Sequence, residues 1–202
     1  RFGHSLQWMG VGQKRSAFGL LLPLRPHFSI MALSSSSIVA VGTVAFDSIQ
    51  TPFGQRDRIV GGAGTYIGWS ASRLGVGAGL VSVIGEDFPE AELQAMESAG
   101  MALEGVERPA GGKSFYWSGS YHMDMNGRDT LATELNVLAD FNPTIPQDWR
   151  DARWLMLGNI DPTLQASVLD QMEERPELVV LDTINFWMDI AMEPLKAVIA
   201  RV

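Results

Sequence analysis

The chain has 202 residues, of which 46% are hydrophobic and 19% are charged, so it is long enough for one domain with a substantial core. It contains no cysteine, which excludes disulfide bonds, thiolate metal sites and a cysteine nucleophile and fits a cytoplasmic location. Its net charge of −8 argues against general nucleic-acid binding, and no apolar run approaches the roughly 18 residues of a transmembrane helix.

Residues 1–30 differ in composition from the rest of the chain. They contain basic but no acidic residues, show no sustained hydrophobic period and do not begin with methionine. We predict that they form a disordered or non-native extension and that Met31 is the natural start. An organelle transit peptide is the alternative, because such segments are also basic and poor in acidic residues.

Strands and helices alternate in the next part of the chain. The pattern predicts a strand at 38–42, a polar, turn-containing segment at 50–60, a helix from the glycine-rich 61–64 to about 74, a strand at 78–84 and a helix from 87 to about 100. Short apolar runs bounded by glycine are typical of buried parallel strands. Gly75 fits a C-terminal helix cap, and Asp87 with Glu90 fits a reciprocal N-terminal cap.

An antiparallel hairpin is predicted to interrupt this order. Apolar and polar residues alternate over 114–124, which indicates a strand with one covered face. Asn126-Gly127 favours a two-residue turn, because both residues tolerate positive φ. The returning strand is predicted at 130–136.

The α/β pattern then resumes. Strands are predicted at 153–157 and 178–181, a helix begins at Asp161-Pro162 and stops before Pro176, and a last helix covers 193–201. Strands and helices alternating at this spacing predict an α/β fold with a parallel sheet and crossover helices.

The glycine-rich segment does not match the common nucleotide-binding motifs. The dinucleotide fingerprint would need glycine at 62, 64 and 67, but the last of these is Ile67, and the Gly-Lys-Ser/Thr of a P-loop is absent. An α/β oxidoreductase that binds a dinucleotide is therefore the least favoured interpretation.

An ordered set of motifs resembles the PfkB/ribokinase family of carbohydrate kinases. It consists of Gly42 and Asp47 after the first strand, Gly61-Gly62-x-Gly64 at the start of a helix, and Val83-Ile-Gly-Glu-Asp87 after the second strand. The resemblance implies a ribokinase-like α/β parallel-sheet sandwich with an inserted antiparallel β lid.

The same resemblance implies how the chain is organised. Residues 31–202 would be the N-terminal portion of a PfkB-type kinase domain, truncated before the nucleotide half, with lid elements near 48–60 and 112–137. Three aromatic residues either line the sugar-facing or dimer-facing side of the lid or pack within its sheet: Phe115, Trp117 and Tyr121.

The resemblance also implies residues that bind a sugar. Asp47 corresponds to the family's sugar-binding aspartate, and a carboxylate can accept hydrogen bonds from two vicinal hydroxyls. Gly61 and Gly62 would close over the sugar beside a helix N-terminus whose N–H groups can donate to hydroxyls. The alternatives are that Asp47 caps a loop and that the glycines only permit tight packing, which is our interpretation of Gly68.

Other candidate residues come from the family's pattern and from strand ends. Tyr66 stands where the family has a substrate-binding asparagine, so the identity of the substrate does not transfer. Asn159, Asp182 and Asn185 follow strands at the edge where substrate would bind, whereas Asp161 and Asp87 are interpreted as helix caps.

The activity implied by the resemblance is phosphorylation of a sugar hydroxyl by ATP with Mg²⁺. The partners would be a small-molecule sugar or nucleoside and a second subunit bound through the lid. The family's catalytic Gly-Ala-Gly-Asp and Asn-x-x-Glu motifs do not occur in this chain, so we assign it no catalytic residue and no metal ligand. We expect the chain alone to be inactive and to be poorly soluble or weakly cooperative in unfolding. The alternative function is a non-catalytic module that binds a sugar or nucleoside.

Overall fold

The computed structural model describes residues 37–202, so the prediction for 1–30 lies outside the described residues. The strands are β1 (Ile38–Val41), β2 (Ala45–Thr51), β3 (Gly54–Gly61), β4 (Ala78–Val83), β5 (Met101–Glu107), β6 (Tyr116–Tyr121), β7 (Arg128–Glu134), β8 (Trp154–Leu157) and β9 (Leu178–Leu181). The α-helices are α1 (Ala63–Arg73), α2 (Glu90–Ser98), α3 (Pro162–Gln171), α4 (Asn185–Ile190) and α5 (Met192–Ile199), and two 3₁₀ helices cover Asn136–Asp140 and Gln147–Trp149.

Five parallel strands form the central sheet, in the order β5-β4-β1-β8-β9. β1 lies in the middle, and every residue of β4 is buried. The continuous apolar sequences of these strands follow from this position, because a parallel sheet covered on both faces buries successive side chains. The prediction of an α/β fold with a parallel sheet is confirmed.

Two hydrophobic clusters cover the two faces of the central sheet. Val39 and Val41 of β1 join one cluster, which also contains Val168 of α3 and Val198 of α5. Ala40, which lies between the two valines, joins the other cluster with side chains of β4, α1 and α2. This division follows from the alternation of side chains along a strand.

A second sheet of four strands has the order β3-β2-β6-β7, and we call it the lid sheet. β2 pairs with β3 and β6 pairs with β7 as antiparallel hairpins. The two hairpins are joined by parallel pairing of β2 with β6. The sequence separates these hairpins by more than fifty residues, so their union into one sheet is a tertiary feature.

The predicted cap of α2 is wrong. Pro89 is the N-cap residue, and the Asp87 side chain does not bond to the helix. The Asp87 carboxylate instead accepts hydrogen bonds from the N–H and Oγ of Ser114, at 2.7 and 2.9 Å, and pairs with Arg58 at 3.0 Å. Donors from two distant segments therefore take the place of the local N–H groups that the capping pattern offered.

The predicted two-residue turn at Asn126-Gly127 is also wrong. The connection between β6 and β7 spans 122–127, and its residue with positive φ is Met125, at 61°. Oδ1 of Asp124 accepts from the N–H groups of Asn126 and Gly127 at 3.1 and 3.4 Å. An aspartate side chain therefore organises this longer loop, as is common in Asx turns.

The remaining differences concern elements with few buried residues. The strand β5, the short helix α4 and the first part of β2 were not predicted. Most of β3 and the last two residues of β2 fall in the polar, turn-containing segment 50–60, where lid elements were expected near 48–60 but no strand bounds were given. The last helix begins at Met192 and ends at Ile199. Within 37–202, no helix combines the length and apolar character that crossing a bilayer requires.

Candidate functional site

The N-terminus of α1 contacts the carboxyl ends of two central strands. A Cβ atom on Gly42, just after β1, would lie 3.1 Å from the backbone nitrogen of Gly64. A Cβ atom on Gly158, just after β8, would lie 2.9 Å from the carbonyl oxygen of Val41. Three glycines therefore allow backbone to approach backbone at this edge of the sheet.

Thr43 binds the first turn of α1. Its carbonyl oxygen accepts from the N–H of Gly64 at 2.8 Å, and its Oγ1 accepts from the N–H of Ala63 at 3.1 Å. These two N–H groups are therefore not free to donate to a ligand, contrary to our expectation for the helix N-terminus. Thr43 was missed in the sequence, where nothing distinguishes it from an ordinary loop threonine.

Asp47 and Gly61, two of the predicted site residues, are in contact. Asp47 lies in β2 opposite Ile59, and Gly61 lies at the end of β3 opposite Ala45. A Cβ atom on Gly61 would collide with the carboxyl group of Asp47. Glycine at 61 therefore leaves room for this carboxyl group at the junction between the lid sheet and α1.

The carboxyl group of Asp47 is partly buried, and no described residue donates a hydrogen bond to it or forms an ion pair with it. Burial raises the pKa of Asp47 above its ordinary value of 3.8. The alternative that Asp47 caps a loop is therefore not supported. Buried polar groups normally have partners, and a desolvated carboxylate without one is typical of a binding or catalytic site.

Gly62 and Gly68 have different reasons to be glycine. Gly62 has φ of +96°, and a Cβ atom there would lie 2.8 Å from the carbonyl carbon of Thr43. A Cβ atom on Gly68 would lie 2.8 Å from Sδ of Met101, so the packing interpretation of Gly68 is confirmed.

Tyr66, in the first turn of α1, is 55% exposed, and its phenol has no partner in the described part of the chain.

The candidates at the other strand ends are less closely associated with this site. Oδ1 of Asn159 accepts from Nε1 of Trp187 at 2.9 Å, so its acceptor is already used. Asp182 and Asn185 are exposed, and neither side chain has a hydrogen bond to another described residue. They follow β9 at the same edge of the central sheet, but nothing brings them into contact with Asp47.

Asp161 is the N-cap of α3, as predicted. Its Oδ1 accepts from the N–H of Thr163 at 2.7 Å. This capping hydrogen bond explains why an aspartate stands here, and no ligand is needed to explain it.

Gln165 joins the ends of two central strands and was missed. This fully buried side chain donates through Nε2 to the carbonyl oxygens of Gly158 and Asp182, at 2.9 and 3.0 Å. Its Oε1 has no partner among the described residues. No sequence signal could have found it, because glutamine is an ordinary helix residue.

The described residues do not fit Mg²⁺ or the phosphates of ATP. Nowhere in 37–202 do three or more His, Asp or Glu side chains converge as metal ligands would. The chain also has no P-loop and no Gly-Ala-Gly-Asp sequence that could bind phosphates.

Comparison with known proteins gives a consistent set of relatives. No protein-family model matches the chain. Over 137 residues, which are 67% of this chain and 48% of the relative, it is 31% identical to a cytidine kinase from Thermococcus kodakarensis. The chain thus spans about half the length of the curated relative it matches.

Two solved structures of kinases share the fold. A Methanocaldococcus jannaschii nucleoside kinase, described as an archaeal member of the ribokinase family, has a TM-score of 0.62 and 17% identity, with coverage of 83% of this chain and 58% of that chain. A Burkholderia thailandensis nucleoside kinase in complex with inosine has a TM-score of 0.58 and 14% identity, with coverage of 82% and 68%.

Proposed function

Because this chain has the fold of the ribokinase/PfkB family of kinases, we propose that it is the acceptor-binding part of an enzyme that phosphorylates a hydroxyl group of a sugar or nucleoside. The observation that supports this proposal best is the carboxyl group of Asp47. It is partly buried against Gly61 and has no partner among the described residues. Similarity to a cytidine kinase and to nucleoside kinases supports the acceptor class.

Asp47 would hold the acceptor by accepting hydrogen bonds from two of its hydroxyl groups. Hydrogen bonds to a charged acceptor are stronger than neutral ones, and two of them fix the orientation of a diol. Gly61 lets the acceptor reach the carboxylate without a side chain in the way. Phosphoryl transfer depends mainly on such positioning and on neutralisation of charge.

ATP and Mg²⁺ would belong to the complete enzyme. The residues present do not fit either group, and the two catalytic motifs of the family are absent from the chain. We therefore expect that the 202-residue chain binds the acceptor but transfers no phosphoryl group. Transfer of radiolabelled phosphate from ATP to any sugar or nucleoside by this chain would contradict that expectation.

The second candidate is a binding module without catalysis in any context. It would bind the acceptor at the same site, because binding through Asp47 requires neither motif. The two candidates differ when the chain is joined to a segment that carries Asn-x-x-Glu and Gly-Ala-Gly-Asp. Phosphorylation by the joined protein supports the kinase, and acceptor binding without phosphorylation supports the module.

Calorimetric titration of the full chain with a panel of sugars and nucleosides tests the proposed site. We expect Asp47→Asn to weaken binding by roughly 10- to 100-fold, since hydrogen bonds to charged groups contribute about 1.5–3 kcal/mol. Asp148→Asn is the matched control, because Asp148 is exposed and lies outside the site. If no compound binds, or if Asp47→Asn binds as tightly as the wild type, the proposal is wrong.

A homodimer formed through the lid sheet is a further part of the proposal. Phe53 in the turn between β2 and β3 and Leu131 of β7 are large, exposed apolar side chains, and β3 and β7 are the edge strands of the lid sheet. Edge strands have unpaired backbone groups, and exposed apolar patches mark interaction surfaces. Light scattering after size exclusion measures the mass in solution. We expect a dimer for the wild type and a monomer for Leu131→Glu; a wild-type monomer at all concentrations would contradict the dimer.

A further inference from the structure

Asp47 has an aromatic neighbour on the same face of the lid sheet. In the parallel pairing of β2 with β6, the partner of Asp47 is Trp117, and across β3 it is Ile59. Residues opposite one another in neighbouring strands project to the same face, and the strands are about 4.8 Å apart. Asp47 and Trp117 are therefore neighbours in register on one face of the lid sheet.

The indole of Trp117 lies across β6 towards β7. Gly119 follows two residues later on the same face, and a Cβ atom there would collide with the benzo ring of Trp117. Nε1 of Trp117 donates to Oγ1 of Thr130 at 3.3 Å, which fixes the direction of the ring. The indole is only partly buried, and the guanidinium carbon of Arg128 lies 6.0 Å from the centre of its ring.

Packing of the core does not account for this indole. The opposite face of the lid sheet carries Phe46 and Tyr116, which belong to or pack against the cluster around Phe88. Neither hydrophobic cluster includes Trp117 or Ile59. Trp117 is thus an aromatic residue on the face of the lid sheet that the described core does not cover.

We propose that the indole of Trp117 stacks on the base of a nucleoside whose ribose hydroxyls bind Asp47. This inference rests on the proposed function and narrows its acceptor to a nucleoside. A flat ring and a carboxylate on the same face of neighbouring strands match a molecule that joins an aromatic base to a diol, whereas a free sugar uses only the carboxylate. Stacking of a base on an aromatic side chain contributes about 1–3 kcal/mol, which corresponds to roughly 5- to 150-fold in affinity.

Calorimetric titration of the full chain with cytidine, inosine and ribose tests this proposal. We expect the wild type to bind both nucleosides more tightly than ribose. Trp117→Leu is expected to weaken nucleoside binding by roughly 10- to 100-fold and to leave ribose binding unchanged. Trp117→Phe keeps an aromatic ring and should retain most of the nucleoside affinity.

Two further measurements separate stacking from a structural role. Nucleosides should quench part of the tryptophan fluorescence of the wild type, and this part should be lost in Trp117→Phe although the affinity remains. Trp154→Leu is the control, because Trp154 is the first residue of β8 and lies at the amino ends of the central strands, whereas the candidate site lies at their carboxyl ends. Circular dichroism and thermal unfolding of each variant verify that it is folded.

The outcomes distinguish this inference from the proposed function. If ligands bind in a manner that depends on Asp47, but Trp117→Leu weakens ribose and nucleosides equally or not at all, the stacking proposal is wrong and the proposed function stands. If the wild type binds ribose and nucleosides with equal affinity, the stacking proposal is likewise wrong and the proposed function stands. If none of the three compounds binds, or if Asp47→Asn has no effect, the proposed function fails and the stacking proposal with it.

Discussion

Asp47 is held partly inside the protein without a donor or a counter-charge from 37–202, which is an unfavourable position for a carboxylate. Folding alone gives no reason for such a residue, because an amide or an apolar side chain of similar size would fit the same place at lower cost. A ligand that brings hydroxyl donors removes the penalty on binding. The proposed binding role would explain why a carboxylate stands at a position where it lowers stability.

The difference in stability between Asp47→Asn and the wild type should depend on pH. Burial raises the pKa of Asp47 above 3.8, so the folded state holds this proton more tightly than the unfolded chain does. That stabilising contribution is complete below the unfolded pKa and is lost as the pH rises through the folded pKa. Asp47→Asn should therefore be more stable than the wild type at neutral pH, by up to about 1 kcal/mol.

Urea denaturation at neutral pH and at about pH 3 measures this difference. We expect the advantage of the asparagine variant to disappear at the acidic pH, where the carboxyl group of the wild type is protonated. An advantage of the same size at both pH values would show that ionisation is not its cause.

Replacement of Gly62 should be more harmful than replacement of another glycine with positive φ. Gly62→Ala places a Cβ atom 2.8 Å from the carbonyl carbon of Thr43, whereas Gly75→Ala meets nothing within 4 Å. Both variants bear the strain of φ at +96° and +74°, about 1–2 kcal/mol. We expect Gly62→Ala to lose at least about 1 kcal/mol more than Gly75→Ala in urea denaturation, and equal losses would contradict the contact with Thr43.

Some residues of the candidate site could be predicted and others could not. Asp47 and Gly61 were predicted from their order in a set of motifs, and the structure places them in contact. Thr43 and Gln165 act through bonds to backbone groups that only the folded chain brings near. Trp117 was predicted either to line the sugar-facing or dimer-facing side of the lid or to pack within its sheet, and its place opposite Asp47 could not be predicted because it depends on the register of β2 and β6.

At the scale of elements, an ion pair between Arg58 and Asp87 joins the lid sheet to the segment that follows β4 of the central sheet. Arg58 of β3 stacks on the ring of Phe46 at 4.2 Å and pairs with Asp87, which also binds Ser114 just before β6. Burial alone would raise the pKa of Asp87, but the hydrogen bonds from Ser114 and Arg58 outweigh it, and the pKa lies below 3.8. The stability that Asp87 contributes is therefore present above the unfolded pKa and is lost as the pH falls through the folded pKa.

Removal of this carboxylate should loosen the attachment of both hairpins. Asp87→Ala eliminates the acceptor for three donors, and we expect a loss of about 2 kcal/mol in the free energy of unfolding at neutral pH. Glu90→Ala is the matched control, since the ion pair of Glu90 with Arg108 is more exposed and contributes less than about 1 kcal/mol. Urea denaturation compares the two, and similar losses would contradict a special role for Asp87.

The elements that were predicted correctly share a physical cause. β1, β4 and β8 are short apolar runs in the covered part of the central sheet, and β9 is an equally apolar run at its edge. In each of them the signal is local. β2, β3 and β5 have a more polar sequence because they lie at an edge or in the lid sheet, where pairing with a remote strand decides the structure. The same reason explains why the helix cap predicted at Asp87 is wrong: the carboxylate binds Ser114 and Arg58, which are remote in sequence, and not the N–H groups of the following helix.

At the scale of the whole molecule, the central sheet ends in an apolar edge. β9 is the last strand in the order, and Leu178 and Val180 are 56% and 38% exposed. Exposed apolar edge strands promote association between chains, because their unpaired N–H and C=O groups accept another strand. This surface gives a physical reason for the predicted poor solubility.

A charge at this edge should reduce association. We expect Val180→Lys to slow the concentration-dependent increase in light scattering of the chain by several-fold, because a lysine on an edge strand opposes pairing with another edge. Leu131→Lys, on the edge strand of the lid sheet, is the comparison. If only the lid variant slows aggregation, association proceeds through the lid sheet and the β9 edge is not the cause.

The central position of β1 has a consequence for the rate of folding. Ile38, the first residue of β1, pairs with Ala78 of β4 on one side and with Trp154 of β8 on the other. The second pairing therefore joins residues 116 positions apart in the chain. Contacts between such remote residues are slow to form, because a large loop must close before any of its interactions are gained. During synthesis the middle strand would remain without its second neighbour until most of the chain has left the ribosome, and that interval is when a chaperone would be most needed.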